Sequence, residues 1–309
     1  MSVRQQNIAV LGCGLIGASW TALFLAHGYD VTAWDPRPES LGSLRSKLSL
    51  PLGQLSEMGR CSRKHGRLTI SPDIAEAVGD AAWIQENAPE DVHLKHDLYR
   101  KVEATARDDA VIASSTSSHT WSELSTMLAR KERLITAHPF NPPHLLPLVE
   151  IYAADPGVRE RAVAFYKSIG KVPVVLKKDV VGHIANRLAS ALWREAVHLV
   201  SEDIADVADI DAALVNGPGL RWSVVGAHMA YHLGGGEGGI GHYLRHLGPS
   251  QERRWTTLGS PALRPDVCEK IVSGIGVEAA GLSISELEAR RDRALIAALR
   301  SREQSDAGE

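Results

Sequence analysis

The sequence predicts an α/β chain in two parts, an open doubly wound parallel sheet followed by an all-α half. Three observations carry this. Short apolar runs alternate with helical stretches from Asn7 to Leu176, and that alternation builds a parallel sheet with helices on both faces. After Lys178 no convincing strand pattern appears, and the apolar spacing turns helical. A length of 309 residues allows one large or two ordinary domains. The boundary is expected near Asp179, dividing the chain into 1–178 and 179–309.

Asn7-Ile8-Ala9-Val10-Leu11 is an apolar run ending in glycine and reads as a strand buried on both faces. A helix over 17–27 follows, stopped by Gly28. Val31-Thr32-Ala33-Trp34 is the next strand, halted by Asp35-Pro36. Further strands are expected at 68–70, 82–84, 111–113, 134–137, 148–151 and 172–176. A helical segment over 41–67 is interrupted by Pro51 and Gly53, and another helix covers 94–106. Asp155-Pro156 opens a helix as N-cap and first-turn proline, and Gly170 closes it. In the second half, Asn186 to about Asp203 is one long helix with Leu188, Ala191, Leu192 and Leu199 on a stripe. A second helix over 209–215 ends at Gly217-Pro218-Gly219. Gly234 to Gly239 is a glycine cluster rather than a long linker. Ser283 and Glu286 form a capping box for a final helix to about Ser301, with a frayed tail beyond.

Composition excludes several classes. Apolar residues are 44% and charged residues 23%, ordinary for a globular protein and wrong for a disordered, collagenous or disulfide-stapled chain. Lys and Arg total 34 against 37 Asp and Glu, a net charge of −3, which gives no excess for nucleic-acid phosphates. Cys13, Cys61 and Cys268 lie far apart. They form no metal-ligand pair and, being odd in number, cannot close fully into bridges, so a cytoplasmic setting is expected. Residues 8–26 are uncharged and near membrane-spanning length, with Arg4 ahead of them. Gly12, Gly14 and Gly17 break that run into strand, turn and helix, so neither a membrane span nor a secretion signal is expected.

Gly12-Cys13-Gly14-Leu15-Ile16-Gly17 has the pattern G-x-G-x-x-G, placed after a strand and at the start of a helix. In that context the first glycine permits the turn, the second lets backbone approach a pyrophosphate, and the third packs helix on strand. The helix N-terminus offers free N–H groups to the phosphates. Asp35, eighteen residues past Gly17, ends the second strand, where a carboxylate accepts both ribose hydroxyls and repels a 2′-phosphate. NAD is therefore expected over NADP, with nearby Arg37 the feature pulling the other way. A plain glycine turn with a capping Asp would explain these residues singly; strand, glycines and acid in register favour a Rossmann dinucleotide site.

His138 stands at the carboxyl end of a strand in Ala137-His138-Pro139-Phe140-Asn141-Pro142, and Glu150 lies inside the apolar run Leu148-Val149-Glu150-Ile151. A carboxylate there needs a partner. A His138–Glu150 pair would satisfy both groups and build a general base. Open parallel sheets bind ligands at the carboxyl ends of their strands, which suits both His138 and the run Ser114-Ser115-Thr116-Ser117-Ser118. One of those hydroxyls could bind a substrate oxygen or simply cap a loop, and Asn186 could be a helix N-cap.

Together, Gly12 to Gly17, Asp35, Ser114 to Ser118, His138-Pro139-Phe140-Asn141-Pro142, Glu150 and Ile184-Ala185-Asn186-Arg187 resemble the 3-hydroxyacyl-CoA dehydrogenase family, over almost the whole chain. The resemblance implies a Rossmann domain, a helical domain that dimerises, His138 as general base with Glu150 its partner, and Ser117 and Asn186 bonding the reacting oxygen. It also implies that Glu90 and Lys95 line the cofactor. The reaction implied is NAD-dependent oxidation of the 3-hydroxyl of a 3-hydroxy acid. The chain departs from the family at Val181-Gly182-His183, where Pro-Gly-Phe is usual, and it lacks a dense lysine cluster over 41–67 for CoA. Residues 191–200 and 217–223 resemble most the L-carnitine dehydrogenase branch. Recognition of a trimethylammonium carboxylate would draw on the aromatics Trp193, Trp222, Tyr231 and Tyr243 and the donors Arg187, Arg194 and Arg221. Two alternatives stand beside it, a dehydrogenase for another 3-hydroxy acid such as L-gulonate or a 3-hydroxyacyl-CoA, and a non-catalytic, crystallin-like dinucleotide binder.

Overall fold

The structure is a computed structural model and describes residues 7–306. Its strands are β1 (Ile8–Leu11), β2 (Val31–Trp34), β3 (Leu68–Ile70), β4 (Trp83–Glu86), β5 (Val111–Ser114), β6 (Leu134–Pro139), β7 (Leu148–Tyr152) and β8 (Val172–Val175). They form one eight-stranded sheet in the order β3-β2-β1-β4-β5-β6-β7-β8. The order reverses between β1 and β4, which opens a crevice at their carboxyl ends. Both faces are covered. Trp20, Phe24, Trp83, Phe165 and Tyr166 pack on one side, Leu98, Tyr99, Val102 and Leu124 on the other. Burial on two sides explains why the strands read as continuous apolar runs.

The fold class expected from sequence is the one found, with one departure. Six of the seven ladders are parallel, but β6 and β7 run antiparallel. Only residues 140–147 join them, too few for a crossover helix, so the chain must turn back on itself. The resulting register sets His138 directly opposite Glu150. β4 also runs past the expected 82–84 to Gln85 and Glu86, both fully buried. The polar residues continue the strand because each finds partners, Gln85 with Tyr166, Trp83 and Ser115, and Glu86 with Lys95, Tyr99 and Ser114.

The helix Leu15–Ala26 follows β1, and Gly28 behind it has φ 86°. The segment expected to break at Pro51 and Gly53 breaks instead at Leu48, between Pro38–Lys47 and Ser49–Glu57. Pro51 sits in a first turn, where a missing N–H costs nothing. Asp91 caps Val92–Thr105, and Asp155 caps Pro156–Ser168 through the Val158 N–H. No helix among the described residues is long and apolar enough to cross a membrane; Arg4 lies outside those residues.

The chain divides into two compact units, Met1–Arg187 and Leu188–Glu309. The described residues of the second are helical, with Val207–Asn216, Pro218–Trp222, Ala227–Gly234, Gly239–Trp255, Pro265–Glu278 and Ile284–Asp306 following the helix Ala185–Ser201. The glycine cluster forms one tight turn of 3₁₀ helix between two of these. The expected frayed tail from Ser301 is helical to Asp306, a continuation of the helix opened by the Ser283–Glu286 box; residues 307–309 lie outside the described region. On the long helix, Leu188 is 67% exposed and Leu192 and Ala191 are exposed as well, while Val197 and Val200 are buried.

Candidate active site

The glycine loop is built as its spacing demands. Gly12 has φ 90°, and a Cβ on it would stand 2.6 Å from the Asn87 carbonyl oxygen. A Cβ on Gly17 would meet the Gly12 carbonyl oxygen at 1.8 Å. At Gly14 a Cβ would meet nothing within 4 Å, and no side chain caps the helix N-terminus there. Free N–H groups thus face open space, the arrangement a pyrophosphate requires. Lys47 Nζ donates to the Cys13 carbonyl at 3.3 Å and adds positive charge to the same loop. Asp35 accepts from Cys13 N–H at 2.8 Å and Arg37 N–H at 2.9 Å. Burial would raise the Asp35 carboxyl, but the Arg37 guanidinium and these N–H groups outweigh it and hold the pKa below the ordinary value. Arg37 lies on Asp35, its side chain 59% exposed over a carboxylate only 2% exposed. These residues fit NAD, which Gly12 to Gly17 would hold at the pyrophosphate and Asp35 at a ribose. Cys13 inside the loop is fully buried, its thiol pushed up to about 12 by that burial.

His138 Nδ1 lies 2.9 Å from Glu150 Oε2, and both side chains are buried. Glu150 Oε1 accepts the backbone N–H groups of Ile184 at 2.8 Å and Ala185 at 2.9 Å, where the helix Ala185–Ser201 begins. Burial pushes the Glu150 pKa up, but the His138 bond and then the two N–H groups bring it below the ordinary carboxylate value. An ionised Glu150 can only accept, so Nδ1 carries the proton and Nε2 of the neutral ring is free to act as base. One carboxylate therefore orients the imidazole and anchors a helix N-terminus.

His138 lines a cavity of about 480 Å³ together with Ile16 of the glycine loop, Asn87, Glu90, Ser115, Ser117 and Asn186. The dinucleotide loop and the imidazole thus border one space. Asn186 is no N-cap; its Nδ2 donates to the Ser117 carbonyl at 3.1 Å and lies 3.5 Å from His138 Nε2. Ser117 Oγ donates to Glu90 Oε1 at 2.8 Å, and Ser117 N–H and Thr116 Oγ1 bond the same carboxylate. Burial raises Glu90, yet Ser117 N–H, Lys95 and the two hydroxyls hold it low and ionised. Lys95, expected at the cofactor, does not border the cavity. It is 1% exposed, with Nζ held by Glu86 at 2.7 Å, the Ala88 carbonyl at 3.1 Å and Glu90 at 3.6 Å. It is a buried counterion shared by the Glu86 and Glu90 carboxylates. Two more hydroxyls of the serine run bond neighbouring side chains, Ser114 Oγ donating to Glu86 and Ser115 Oγ to Asn87.

Glu86 and Asn87 were given no role from sequence. Glu86 accepts from Lys95, Tyr99, Ser114 and the Ala88 N–H, and Asn87 bonds Ser115 and the Leu11 and Gln85 carbonyls. The one sequence signal was an acid closing an apolar strand, the same signal that pointed to Glu150. In the second unit Tyr231 and Tyr243 pack on each other at 5.0 Å, Trp193 and Trp222 are exposed, and so are Arg194 and Arg221. Arg187 is exposed at the end of the first unit.

The family model described as 3-hydroxyacyl-CoA dehydrogenase, NAD binding domain matches residues 7–180, and its C-terminal domain matches 182–260. An L-carnitine dehydrogenase of Streptomyces griseus is 43% identical over 300 residues, covering 96% of this chain and 90% of the relative. One from Pseudomonas aeruginosa is 41% identical over 298 residues, covering 95% and 93%. Among solved structures, an NAD+-dependent dismutase, 5-formyl-3-hydroxy-2-methylpyridine 4-carboxylic acid 5-dehydrogenase, superposes with a TM-score of 0.84 at 29% identity, covering 96% of this chain and 98% of that one. On the matched residues and the cradle that receives NAD, the chain belongs to the 3-hydroxyacyl-CoA dehydrogenase family and is an NAD-dependent hydroxy acid dehydrogenase.

Proposed function

We propose that the chain oxidises L-carnitine at its 3-hydroxyl, giving 3-dehydrocarnitine, with His138 as general base. The observation that carries the chemistry is His138, braced by Glu150, on the wall that also presents the glycine loop. The identity to L-carnitine dehydrogenases over nearly the whole chain supports the choice of substrate. Bound NAD+ supplies the hydride acceptor. His138 Nε2 takes the hydroxyl proton, and Glu150 stabilises the imidazolium that results. Asn186 Nδ2 donates one hydrogen to the Ser117 carbonyl and stands 3.5 Å from His138 Nε2 with the other, which would turn to the reacting oxygen once substrate lies between them. Ser117 Oγ donates to Glu90 in the free site; turned from Glu90, the same hydrogen would be donated to the reacting oxygen. Glu90 lines the same cavity, so its charge would bear on a cofactor ring held there.

Residues 179–309 form the substrate and dimer domain in this reading, and the enzyme is a cytoplasmic homodimer. The exposed apolar side chains Leu188, Leu192, Val272 and Val277 support a second copy as their cover. NAD+ reduction followed with L-carnitine, L-gulonate and a 3-hydroxyacyl-CoA tests the substrate. Turnover of L-carnitine alone is expected. Turnover of only another hydroxy acid would reassign the substrate, and NAD binding without any turnover would leave the non-catalytic alternative.

A further inference from the structure

The turn before the helix Ala185–Ser201 brings a second imidazole to the site. His183 is 1% exposed, and its ring stacks on that of His138 with centroids 4.9 Å apart and planes 21° from parallel. Its backbone is in the left-handed region, with φ 50°, after Gly182 at 75°. Non-glycine residues are uncommon there, and histidine is among the few types that adopt it readily. The conformation has two consequences. It aims the next two N–H groups, of Ile184 and Ala185, at Glu150. It also lays the His183 ring against His138.

The protonation of His183 follows from its contacts. Nε2 stands 3.2 Å from the Thr116 carbonyl oxygen, an acceptor only, so Nε2 carries the hydrogen. Burial, then the neighbouring His138, push its pKa below the ordinary histidine value; the Thr116 carbonyl, Glu150 and Asp179 oppose this more weakly. The ring is neutral and turns its π face to His138. On another side, Phe140 meets His138 edge-on at 5.3 Å and 66°. His138 is thus held by Glu150 at one nitrogen and by two aromatic rings, while Nε2 stays open to the cavity.

We propose that His183 is a positioning residue for the general base: its neutral ring fixes the plane of His138 and offers a π face to the imidazolium formed when the substrate proton arrives. This rests on the assignment of His138 as base. A π face stabilises the charged ring more than the neutral one, so the effect belongs to the transition state rather than to substrate binding.

Three variants separate the ring from its bulk. His183→Phe keeps an aromatic face, His183→Leu keeps volume without one, and His183→Ala keeps neither. All three share the backbone cost of a side chain at positive φ and all lose the Thr116 bond, so those effects cancel among them. Expected is a fall in kcat of about tenfold for His183→Leu and His183→Ala with KM within about twofold, and recovery of most of kcat in His183→Phe. Leu restoring activity as well as Phe, or Ala leaving kcat intact, overturns the proposal. A second readout needs no turnover. The proton that His138 Nδ1 donates to Glu150 should give a sharp NMR signal in the wild type and His183→Phe, and a broadened one in His183→Ala. A signal equally sharp in all variants overturns the positioning role. A panel without turnover would count against the proposed function while the NMR series still decides the role of His183.

Discussion

The two units bury their apolar residues very differently. In the first, both packed clusters close around the sheet, and β1, β4 and β5 have no exposed residue. In the second, among the described residues, the buried apolar side chains are Val197, Val200, Ala230, Val267, Ile296 and Leu299, while Leu188, Val224, Val272 and Val277 face outward. A sheet covered on two sides completes its core within one chain, whereas these helices keep apolar stripes that a single chain does not cover. The rigid chemistry, which needs groups fixed to fractions of an ångström, sits in the unit that closes by itself. The unit left open is the one on which homodimerisation is proposed, and light scattering at the mass of one chain would refute that part.

The largest expected effect falls on the closed unit. His138→Ala should lower kcat by about 10² to 10⁴, the range for loss of a general base, with NAD binding nearly unchanged. Steady-state kinetics beside calorimetric NAD titration measure both, and near-normal turnover would remove His138 from the chemistry.

That contrast was only partly legible beforehand. The sheet could be read because parallel strands buried on both faces leave unbroken apolar runs, as in Ile8–Leu11. His138 and Glu150 could be paired because an acid in an apolar strand needs a partner. Their meeting by cross-strand register could not, since the reversal at β6–β7 depends on loop length rather than apolar pattern. Lys95 was placed at the cofactor by resemblance, and only the partners Glu86 and Glu90 reveal that it lies beneath the cavity wall. The second unit was least legible, because its outward stripes carry the same helical period as inward ones.

A charge sealed in the first unit gives the next test. Lys171 Nζ donates to the Pro143 and Leu146 carbonyls and lies 5.4 Å from the Trp20 ring centroid. Burial, with Arg60 adding repulsion, pushes its pKa down to about 7 from 10.5. The unfolded chain holds this proton up to the higher value while the folded chain releases it near the lower. Stability should therefore rise with pH between the two, by up to ~1.4 kcal/mol per pH unit from this residue. Lys171→Met should abolish that slope in urea midpoints across the window, and equal slopes in both proteins would show that the core around it is wet.

Asp35 sharpens the same comparison at the rim of the closed unit. Asp35→Ala should weaken NAD by about tenfold, near 1.4 kcal/mol, and NADP much less, since the lost carboxylate repels a 2′-phosphate. Arg37 is freed from its partner by the same change, which should narrow the preference further. Affinities for both dinucleotides measured by titration check this, and an unchanged ratio would transfer the preference to Arg37.

The smallest effect tests whether the open unit melts separately. Ser283 Oγ accepts the Glu286 N–H at 3.3 Å, and Glu286 bonds the Ser283 N–H in return at 2.8 Å. The reciprocal bond also holds Glu286 below the ordinary carboxylate value, through the Ser283 hydroxyl first and its N–H second. Ser283→Ala removes the cap of the helix Ile284–Asp306 and should cost about 1 kcal/mol. If each unit is its own cooperative structure, calorimetry should show only one of two transitions moving, and NAD should raise only the other. A single transition shifted by both the substitution and the cofactor would mean that the helices, though poorly buried in one chain, fold only together with the sheet.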